Sequence, residues 1–237
     1  MYATRRDGVY KTVNGGTSWT SVNNNLAGHS VRAVVVVPSN PVTVYAANSG
    51  FVRTADGGSN WETMDPGDGR VRRTVLAGAV DPSDPKTVYF ESGDLYKTTD
   101  GGATWSPIWK PSGLEPGQWR TDVRVIAVDP NDSETIYIGM AAGVSLAERR
   151  IQKSTDGGQT WIPVDSGLNE KGSYTAIAID PSNSQVLYTG GGSKGVYKSV
   201  DGAASWTNIN PDINLTAIVL DPVDPNTVYV AGRAVNK

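Results

Sequence analysis

Short runs of β-branched and aromatic residues, separated by turns rich in Gly, Pro, Asp and Asn, follow one another along the whole chain. Three of them have the length of a β-strand, namely Val123 to Val128, Thr135 to Gly139 and Gly195 to Ser199. Pro and Asp cluster between the runs, where strands have to end. No apolar run approaches the roughly 18 residues that a membrane-spanning helix needs. The pattern therefore predicts an all-β protein without membrane insertion.

One eight-residue turn sequence occurs five times, and each copy ends in Trp. Its first residue is Thr or Ser, its third is Asp or Asn, and Gly-Gly or Gly-Ala follows; we call these segments the box turns. The Trp residues are 42, 44, 56 and 45 residues apart. The five box turns span residues 12–19, 54–61, 98–105, 154–161 and 199–206.

A second repeat lies between the box turns and consists of a Pro-containing turn followed by an apolar strand with a Tyr. The turn motifs are Val37-Pro38, Asp81-Pro82, Asp129-Pro130, Asp180-Pro181 and Asp221-Pro222, and the Tyr residues are Tyr45, Tyr89, Tyr137, Tyr188 and Tyr229. One period thus reads strand a, Pro turn, strand b, strand c, box turn and strand d. Four strands in 42 to 45 residues is the size of a propeller blade.

The chemistry of the box turn predicts a structural role. A carboxylate or amide oxygen accepts hydrogen bonds from backbone N–H groups of a tight turn. Gly supplies positive φ without steric cost, and Trp covers an apolar face. We therefore assign a structural role to the polar residue and the Trp of every box, and expect the first and last boxes to be weaker because they carry Asn14 and Ala203. The assigned residues are Asn14, Trp19, Asp56, Trp61, Asp100, Trp105, Asp156, Trp161, Asp201 and Trp206.

The pattern Ser/Thr-x-Asp-x-Gly-x-x-Trp resembles the Asp-box, or BNR repeat, of sialidases, family 74 xyloglucanases, sortilin-type receptors and Ycf48-type photosystem assembly factors. The Asp-Pro…Thr-Val-Tyr and Gly-Val-Tyr-Lys-Ser elements are most similar to the xyloglucanase and sortilin-like branch. The resemblance spans nearly the whole chain and implies a β-propeller. It also implies that the box Asp residues lie far from any ligand site, and that a xyloglucanase cleft would need a second propeller facing this one.

The two chain ends together contain the parts of one further blade. Residues 9–22 supply strands c and d, and residues 216–231 supply strands a and b. Joining them would remove exposed sheet edges, so we predict a single propeller domain over residues 1–237, with five blades of four antiparallel strands. Residues 1–4 also match strand b, and two segments then compete for one position. The duplication indicates either a chain cut from a longer propeller array or strand exchange between molecules, and the oligomeric state stays open.

The longest repeat interval contains two insertions, residues 109–122 between strands d and a and residues 140–150 between strands b and c. Both belong to the face opposite the box turns, where loops vary freely. Trp rings stack on sugars, while charged groups bind hydroxyls. The candidate ligand-binding residues are Trp109, Glu115, Trp119, Arg120 and Arg149. Asp122 and Glu148 are the candidate catalytic pair, because glycoside hydrolysis needs two carboxylates. The alternative is that Trp119 caps a blade edge and that the charges are solvated.

Arginines form a second candidate patch for an anionic partner. Arg70, Arg72 and Arg73 follow the second box turn, and Arg5, Arg6 and Arg233 lie near the two ends. The alternative is that they are isolated surface residues.

Composition excludes several classes of function. The net charge of −3 is not typical of a nucleic-acid-binding protein, so no nucleic-acid partner is expected. With no Cys and one histidine, His29, neither thiolate chemistry nor a His-dependent triad or multi-His metal site is expected. No cofactor is predicted. Residues 1–6 lack the apolar core of a signal peptide; one reading is that the chain is a fragment of a secreted bacterial protein.

Three functions remain after these exclusions. The first is a non-enzymatic binding or scaffold module that recognises a glycan or protein through the face of the two insertions. The second is a xyloglucanase-like glycoside hydrolase or a fragment of one. The third is an excised or engineered propeller without a ligand.

Overall fold

The computed structural model describes residues 1–5, 7–26, 31, 33–47, 50–64, 77–110, 123–141, 150–169, 172–192 and 195–234. The described residues form an all-β protein of antiparallel sheets, and they contain no helix suited to crossing a membrane. The chain divides into two compact units, Met1–Lys110 and Pro111–Lys237. The single domain over residues 1–237 stays a prediction.

The first unit contains three sheets, each built from strands that are consecutive in the chain. The first sheet comprises β1 (Tyr2–Arg5), β2 (Gly8–Lys11) and β3 (Thr20–Ser21). The second comprises β4 (Ala33–Val36), β5 (Val44–Ala47), β6 (Phe51–Thr54) and β7 (Glu62–Met64). The third comprises β8 (Gly78–Val80), β9 (Val88–Ser92), β10 (Asp94–Thr98) and β11 (Ser106–Trp109).

The second unit repeats this arrangement. The fourth sheet comprises β12 (Val123–Asp129), β13 (Asp132–Met140), β14 (Ile151–Ser154) and β15 (Ile162–Pro163). The fifth comprises β16 (Ala176–Ile179), β17 (Leu187–Gly190), β18 (Val196–Ser199) and β19 (Thr207–Asn210). The sixth comprises β20 (Ile213–Leu220) and β21 (Val228–Ala234).

Sequence order and strand order agree in every four-stranded sheet, so the predicted period of strands a, b, c and d is confirmed in outline. Strand a predicted at Val123 to Val128 is β12, and strand c predicted at Gly195 to Ser199 is β18. This up-and-down order is compatible with propeller blades. The number of five blades and the closure of a ring stay predictions.

The core of each unit lies between successive sheets. Phe51 and Tyr45 of the second sheet pack against Phe90, Tyr96 and Trp105 of the third. The Phe51 ring centroid is 4.9 Å from that of Phe90 and 4.9 Å from that of Trp105. In the second unit, Tyr137 and Ile151 of the fourth sheet belong to one buried cluster with Tyr197 and Trp206 of the fifth. Successive side chains of a strand point to opposite faces of its sheet, so Tyr45 packs in the cluster towards the third sheet and Val44 packs in the cluster that contains Val9 of the first sheet.

Both chain ends pair locally, so the predicted joint blade is not confirmed. β1 pairs with β2, and β21 pairs with β20. Within the described residues, no sheet combines strands from the two ends. A hairpin closed over a few residues loses less chain entropy than pairing across nearly the whole chain. Among the residues that the structure describes, each end therefore belongs to its own sheet, and the last sheet contains strands a and b.

Candidate functional site

The five box turns share one hydrogen-bond pattern, seen most simply in the third. Thr98 Oγ1 accepts from Gly102 N at 2.9 Å and donates to Asp100 Oδ1 at 2.7 Å. Asp100 Oδ1 also accepts from Thr104 N at 2.9 Å, and its Oδ2 accepts from the Thr104 hydroxyl at 2.6 Å. The equivalent bonds occur in the other boxes. The turn thus satisfies its own backbone donors.

These bonds lower the pKa of the box carboxyls because they stabilise the ionised form. The hydroxyl or amide side chain four residues beyond each Asp has the largest effect. It holds the pKa of Asp56, Asp156 and Asp201 at about 2 and that of Asp100 well below its usual range. A carboxyl that is ionised near neutral pH cannot act as a general acid. The box carboxylates are therefore unsuited to acid catalysis, in line with the predicted structural role.

The free energy of unfolding should fall in acid for the same reason. The pKa of the Asp56, Asp156 and Asp201 carboxyls is about 2 in the folded protein, whereas the ordinary value of an aspartate is 3.8. The pKa of Asp100 is lowered as well. The folded state then binds fewer protons, so the stabilisation is complete above about pH 4 and is lost as the pH falls through about 2. Urea unfolding between pH 7 and pH 2.5 measures this decrease.

Asp100→Asn provides the control, because the first box forms its turn with Asn14 in place of Asp. Asn14 Oδ1 accepts from Ser18 N at 3.0 Å and its Nδ2 donates to Ser18 Oγ at 2.8 Å. The variant should keep the turn and show a shallower loss of stability below pH 4. An acid profile identical to that of the wild type would contradict the assignment of the loss to the box carboxyls.

The first box departs from the others in the exposure of its Trp, and the last box departs in the residue that follows its Gly. Trp19 of the first box is 40% exposed, whereas Trp206 of the last is 4% exposed. Ala203 adopts φ 73°, a conformation that costs an alanine about 1 kcal/mol or more, and its N–H still donates to Ser199 Oγ at 2.9 Å. The expected weakness of both boxes stays a prediction.

One of the candidate residues in the two insertions lies among the described residues. Trp109 ends β11 and is 8% exposed. Stacking on a sugar needs an open ring face, so its ring as placed here is not an exposed ledge. The others lie outside the described residues, namely Glu115, Trp119, Arg120, Asp122, Glu148 and Arg149.

The predicted arginine patch is only partly described. Arg5 Nε lies 3.7 Å from Asp7 Oδ1, and its guanidinium lies 5.5 Å from the centre of the Tyr10 ring. Arg233 lies on β21 and is exposed. The remaining members lie outside the described residues, namely Arg6, Arg70, Arg72 and Arg73.

A group of polar residues that the sequence analysis did not single out lies at the turn between β9 and β10. It comprises Glu91, Ser92 and Asp94, with Lys110 after β11, and we call it the turn cluster. Glu91 is 0% exposed and Asp94 is 9% exposed. Lys110 Nζ lies 3.9 Å from Asp94 Oδ2, and Glu91 Oε1 accepts from Gly93 N at 2.9 Å. Ser92 Oγ is buried and has no hydrogen-bond partner among the described residues.

The repeat shows that Glu91 departs from what the fold needs. Two residues after the strand-b Tyr, the second, fourth, fifth and sixth sheets have Ala47, Gly139, Gly190 and Ala231. The small residue lies where neighbouring atoms are close: a Cβ at Gly139 would lie 2.4 Å from the Tyr174 carbonyl oxygen. A buried carboxylate at this position is costly unless it is hydrogen-bonded or functional. A position-by-position comparison of the repeats identifies Glu91, because the other sheets named above have Ala or Gly at this position.

A cleft of about 480 Å³ lies between β15 and the last box turn. Lys153 lines it, but its Nζ donates to Gly202 O at 3.2 Å and lies 5.3 Å from the centre of the Tyr137 ring. Asp201, also in the lining, is held by its own box. The polar groups of this cleft thus serve the packing of two sheets. Within the described ranges, no three His, Cys, Asp or Glu side chains are grouped to bind a metal.

Comparison with known proteins shows similarity to xyloglucanases. A probable oligoxyloglucan-reducing end-specific xyloglucanase of Neosartorya fischeri is 30% identical over 118 residues, which are 44% of this chain and 14% of that protein. A xyloglucanase of Hypocrea jecorina is 30% identical over 118 residues, 46% of this chain and 14% of that protein. A xyloglucanase of Acetivibrio thermocellus is 32% identical over 112 residues, which are 42% of this chain and 13% of that protein. The chain thus spans about 14% of the length of the first of these relatives, and no protein-family model matches it.

Solved structures show the same relation at the level of the fold. An ancestral GH74 enzyme superposes with a TM-score of 0.70 at 22% identity, over 87% of this chain and 28% of that one. The GH74 xyloglucanase from Xanthomonas campestris superposes with a TM-score of 0.57 at 18% identity, over 99% of this chain and 49% of that one. The Ycf48 protein from Cyanidioschyzon merolae superposes with a TM-score of 0.51 at 14% identity, over 86% of this chain and 71% of that one. A relation to GH74 proteins is supported, whereas a sortilin-like relation stays a prediction.

Proposed function

We propose that this chain is part of a xyloglucanase-like glycoside hydrolase and that it binds a β-linked polysaccharide of the xyloglucan type. The identity of about 30% to xyloglucanases of fungal and bacterial origin carries this proposal. Because the match covers about 14% of those proteins, the role proposed here is that of a portion of the enzyme. This portion contributes a substrate-binding surface.

The topology of the third sheet supports a location for that surface. The box turns connect strands c and d, whereas the turn cluster connects strands b and c at the opposite end of its sheet. Lys110 follows β11 at this same end and approaches Asp94. The insertions 109–122 and 140–150 join strands at the corresponding ends of their own sheets. Charged and hydroxyl side chains there have the chemistry to bind sugar hydroxyl groups.

The proposed chemistry assigns different roles to the carboxylates. Asp122 and Glu148 remain the candidate acid and base, since glycoside hydrolysis needs two carboxyls flanking the bond. Asp94 is the candidate for substrate positioning, since its side chain is 12% exposed beside Lys110, whereas the fully buried Glu91 holds the turn through Gly93 N. The box carboxylates are left out because their pKa is lowered by their own turn.

Incubation with xyloglucan tests the proposal in two measurements, release of reducing ends and saturable binding by calorimetry. We expect binding, and we expect Asp94→Asn to weaken it by about tenfold, since one lost charged hydrogen bond costs about 1.5 kcal/mol or more. Glu62→Gln is the matched control, because Glu62 is an exposed carboxylate of β7. It should bind as the wild type does.

Turnover distinguishes an active portion from a binding portion. If reducing ends are released, Asp122→Asn or Glu148→Gln should lower the rate by at least about 100-fold, as for loss of a general acid or base. Saturable binding without turnover would support a non-enzymatic binding module instead. Neither binding nor turnover, in a protein that unfolds cooperatively, would overturn the proposal and favour an excised propeller without a ligand.

A further inference from the structure

The cleft between β15 and the last box turn corresponds to a place in the first unit, between β3 and the second box turn. In both places a Val follows strand d, and its carbonyl accepts from the Trp Nε1 of the next box turn at 2.8 Å. A turn closed by one backbone hydrogen bond comes next, of 2.9 Å in the first unit and 3.0 Å in the second. The matching residues are Val22 and Val164, Trp61 and Trp206, and the turns 23–26 and 165–168. The two places can therefore be compared position by position.

An amide side chain bridges the place in the first unit. Asn24 Nδ2 donates to Ser59 O at 3.0 Å and so connects the turn after β3 with the second box turn. The cleft has Ser166 and Ala204 at these two positions, and both residues line it. Among the described residues, no donor binds Ala204 O. The cleft thus has room for a group that donates to this carbonyl.

One wall of the cleft is apolar, unlike the same wall in the first unit. Ile162 and Pro163 line the cleft at the positions of Thr20 and Ser21. Both are exposed, and Ile162 is 57% exposed although its side chain is large and apolar. An alkyl chain that entered the cleft would cover this surface, and the removal of apolar area from water would favour its binding.

The cleft also has one more carboxylate than its counterpart. Asp165 lines it at the position where the first unit has Asn23. Asp201 lines it as well, and its carboxyl is ionised at neutral pH because its own box turn lowers its pKa to about 2. The cation of the lining, Lys153, already donates to Gly202 O at 3.2 Å. Two carboxylates and one ammonium give the lining a net negative charge, which favours a cationic ligand.

We propose that this cleft binds the side chain of an arginine from a partner polypeptide. One guanidinium N–H donates to Ala204 O, as the Asn24 amide donates to Ser59 O in the first unit. The planar guanidinium has further N–H donors for the carboxylates of the lining, so one group serves both kinds of acceptor. Its methylene groups pack against Ile162 and Pro163. This inference is independent of the proposed function.

The chemistry of the cleft favours a peptide-bound arginine over other cations. The volume of about 480 Å³ lies within the range of ligand sites and accommodates a long side chain. A lysine ammonium is more strongly hydrated than a guanidinium and cannot donate in one plane to a carbonyl and a carboxylate. Free arginine has an α-carboxylate that the carboxylates of the lining repel, whereas an arginine within a polypeptide has none.

Titration of the isotope-labelled full chain with N-acetyl-arginine amide, followed by NMR, tests the proposal. We expect saturable shift changes at the backbone amides of the lining residues. N-acetyl-citrulline amide has nearly the same shape without the charge, and it should bind at least about tenfold more weakly, since hydrogen bonds between charged groups are the stronger ones. Free arginine should also bind more weakly. Equal affinity for the two amides, tighter binding of free arginine, or no shift changes at the lining would each overturn the proposal.

Variants that copy the first unit provide the matched controls. Ser166→Asn together with Ala204→Ser recreates the pair that bridges the first unit, so its own amide should fill the cleft and weaken binding by at least about tenfold, with cooperative unfolding in urea retained. Asp165→Asn should weaken binding about threefold, as for a solvent-exposed ion pair. Glu62→Gln removes an exposed carboxylate of the first unit and should bind as the wild type does. Unchanged binding in the double variant, or an equal loss in Glu62→Gln and Asp165→Asn, would refute the site.

Discussion

Gly102→Ala should destabilise the protein by about 3 kcal/mol, the sum of a strained backbone and an overpacked core. Gly102 has φ 98°, in the region that L residues other than Gly rarely adopt. A Cβ there would lie 2.0 Å from Met64 Sδ, which belongs to the cluster that joins the second and third sheets. The methyl group can enter only if the Met64 side chain shifts. Urea denaturation measures the change in the free energy of unfolding.

Gly16→Ala separates the two causes, because Gly16 is the equivalent residue of the first box. Its φ is 92°, and the nearest atoms to an added Cβ are Trp19 ring atoms at 3.9 Å. Strain without overpacking should cost about 1 kcal/mol. If both variants lost the same stability, the contribution of Met64 would be refuted.

Thr98→Val should cost about 2 kcal/mol, because it keeps the shape of the side chain and removes the oxygen at the centre of a box turn. Thr98 is 2% exposed, and its Oγ1 accepts from Gly102 N and from Asp100 N. Without this oxygen the buried N–H of Gly102 has no acceptor within the turn, and the donor to the Asp100 carboxylate is also lost. Unfolding in urea at neutral pH measures the loss.

Thr98→Ser is the matched control for this variant. Ser occupies the same position in the fourth and fifth boxes, where its Oγ accepts from the equivalent N–H at 2.8 and 2.9 Å. The serine variant should therefore lose much less stability than the valine variant. A loss of stability in the serine variant without a loss in the valine variant would mean that the methyl group, rather than the hydroxyl, stabilises the turn.

The neighbouring sheet decides which residues a box turn tolerates. A box turn forms from its own hydrogen bonds, but the loss of stability that a substitution causes in it depends on the side chains packed against it. Ala is tolerated at position 203, in a box whose Trp206 donates to Val164 O at 2.8 Å, whereas Gly102 is packed against Met64. The same turn sequence therefore has a different tolerance in each sheet.

The candidate site could be predicted from the sequence only in part. Insertions stand out in a repeat because the interval between Trp residues changes, and this change of interval points to Trp109. Its burial depends on side chains from other strands, which spacing along the chain does not reveal. Glu91 was missed because it changes no spacing. It differs from Ala47, Gly139 and Gly190 only in residue type, at a position whose burial becomes evident once the sheet is formed.

The sequence by itself determined the strands, their order within each sheet and the hydrogen bonds of the box turns, because these depend on residues within a few positions of one another. The tertiary structure alone decided that Trp19 is 40% exposed while Trp206 is buried, and that β1 pairs with β2. Burial and edge pairing depend on segments distant in sequence, and the free-energy balance between competing partners is settled only when all of them are in place.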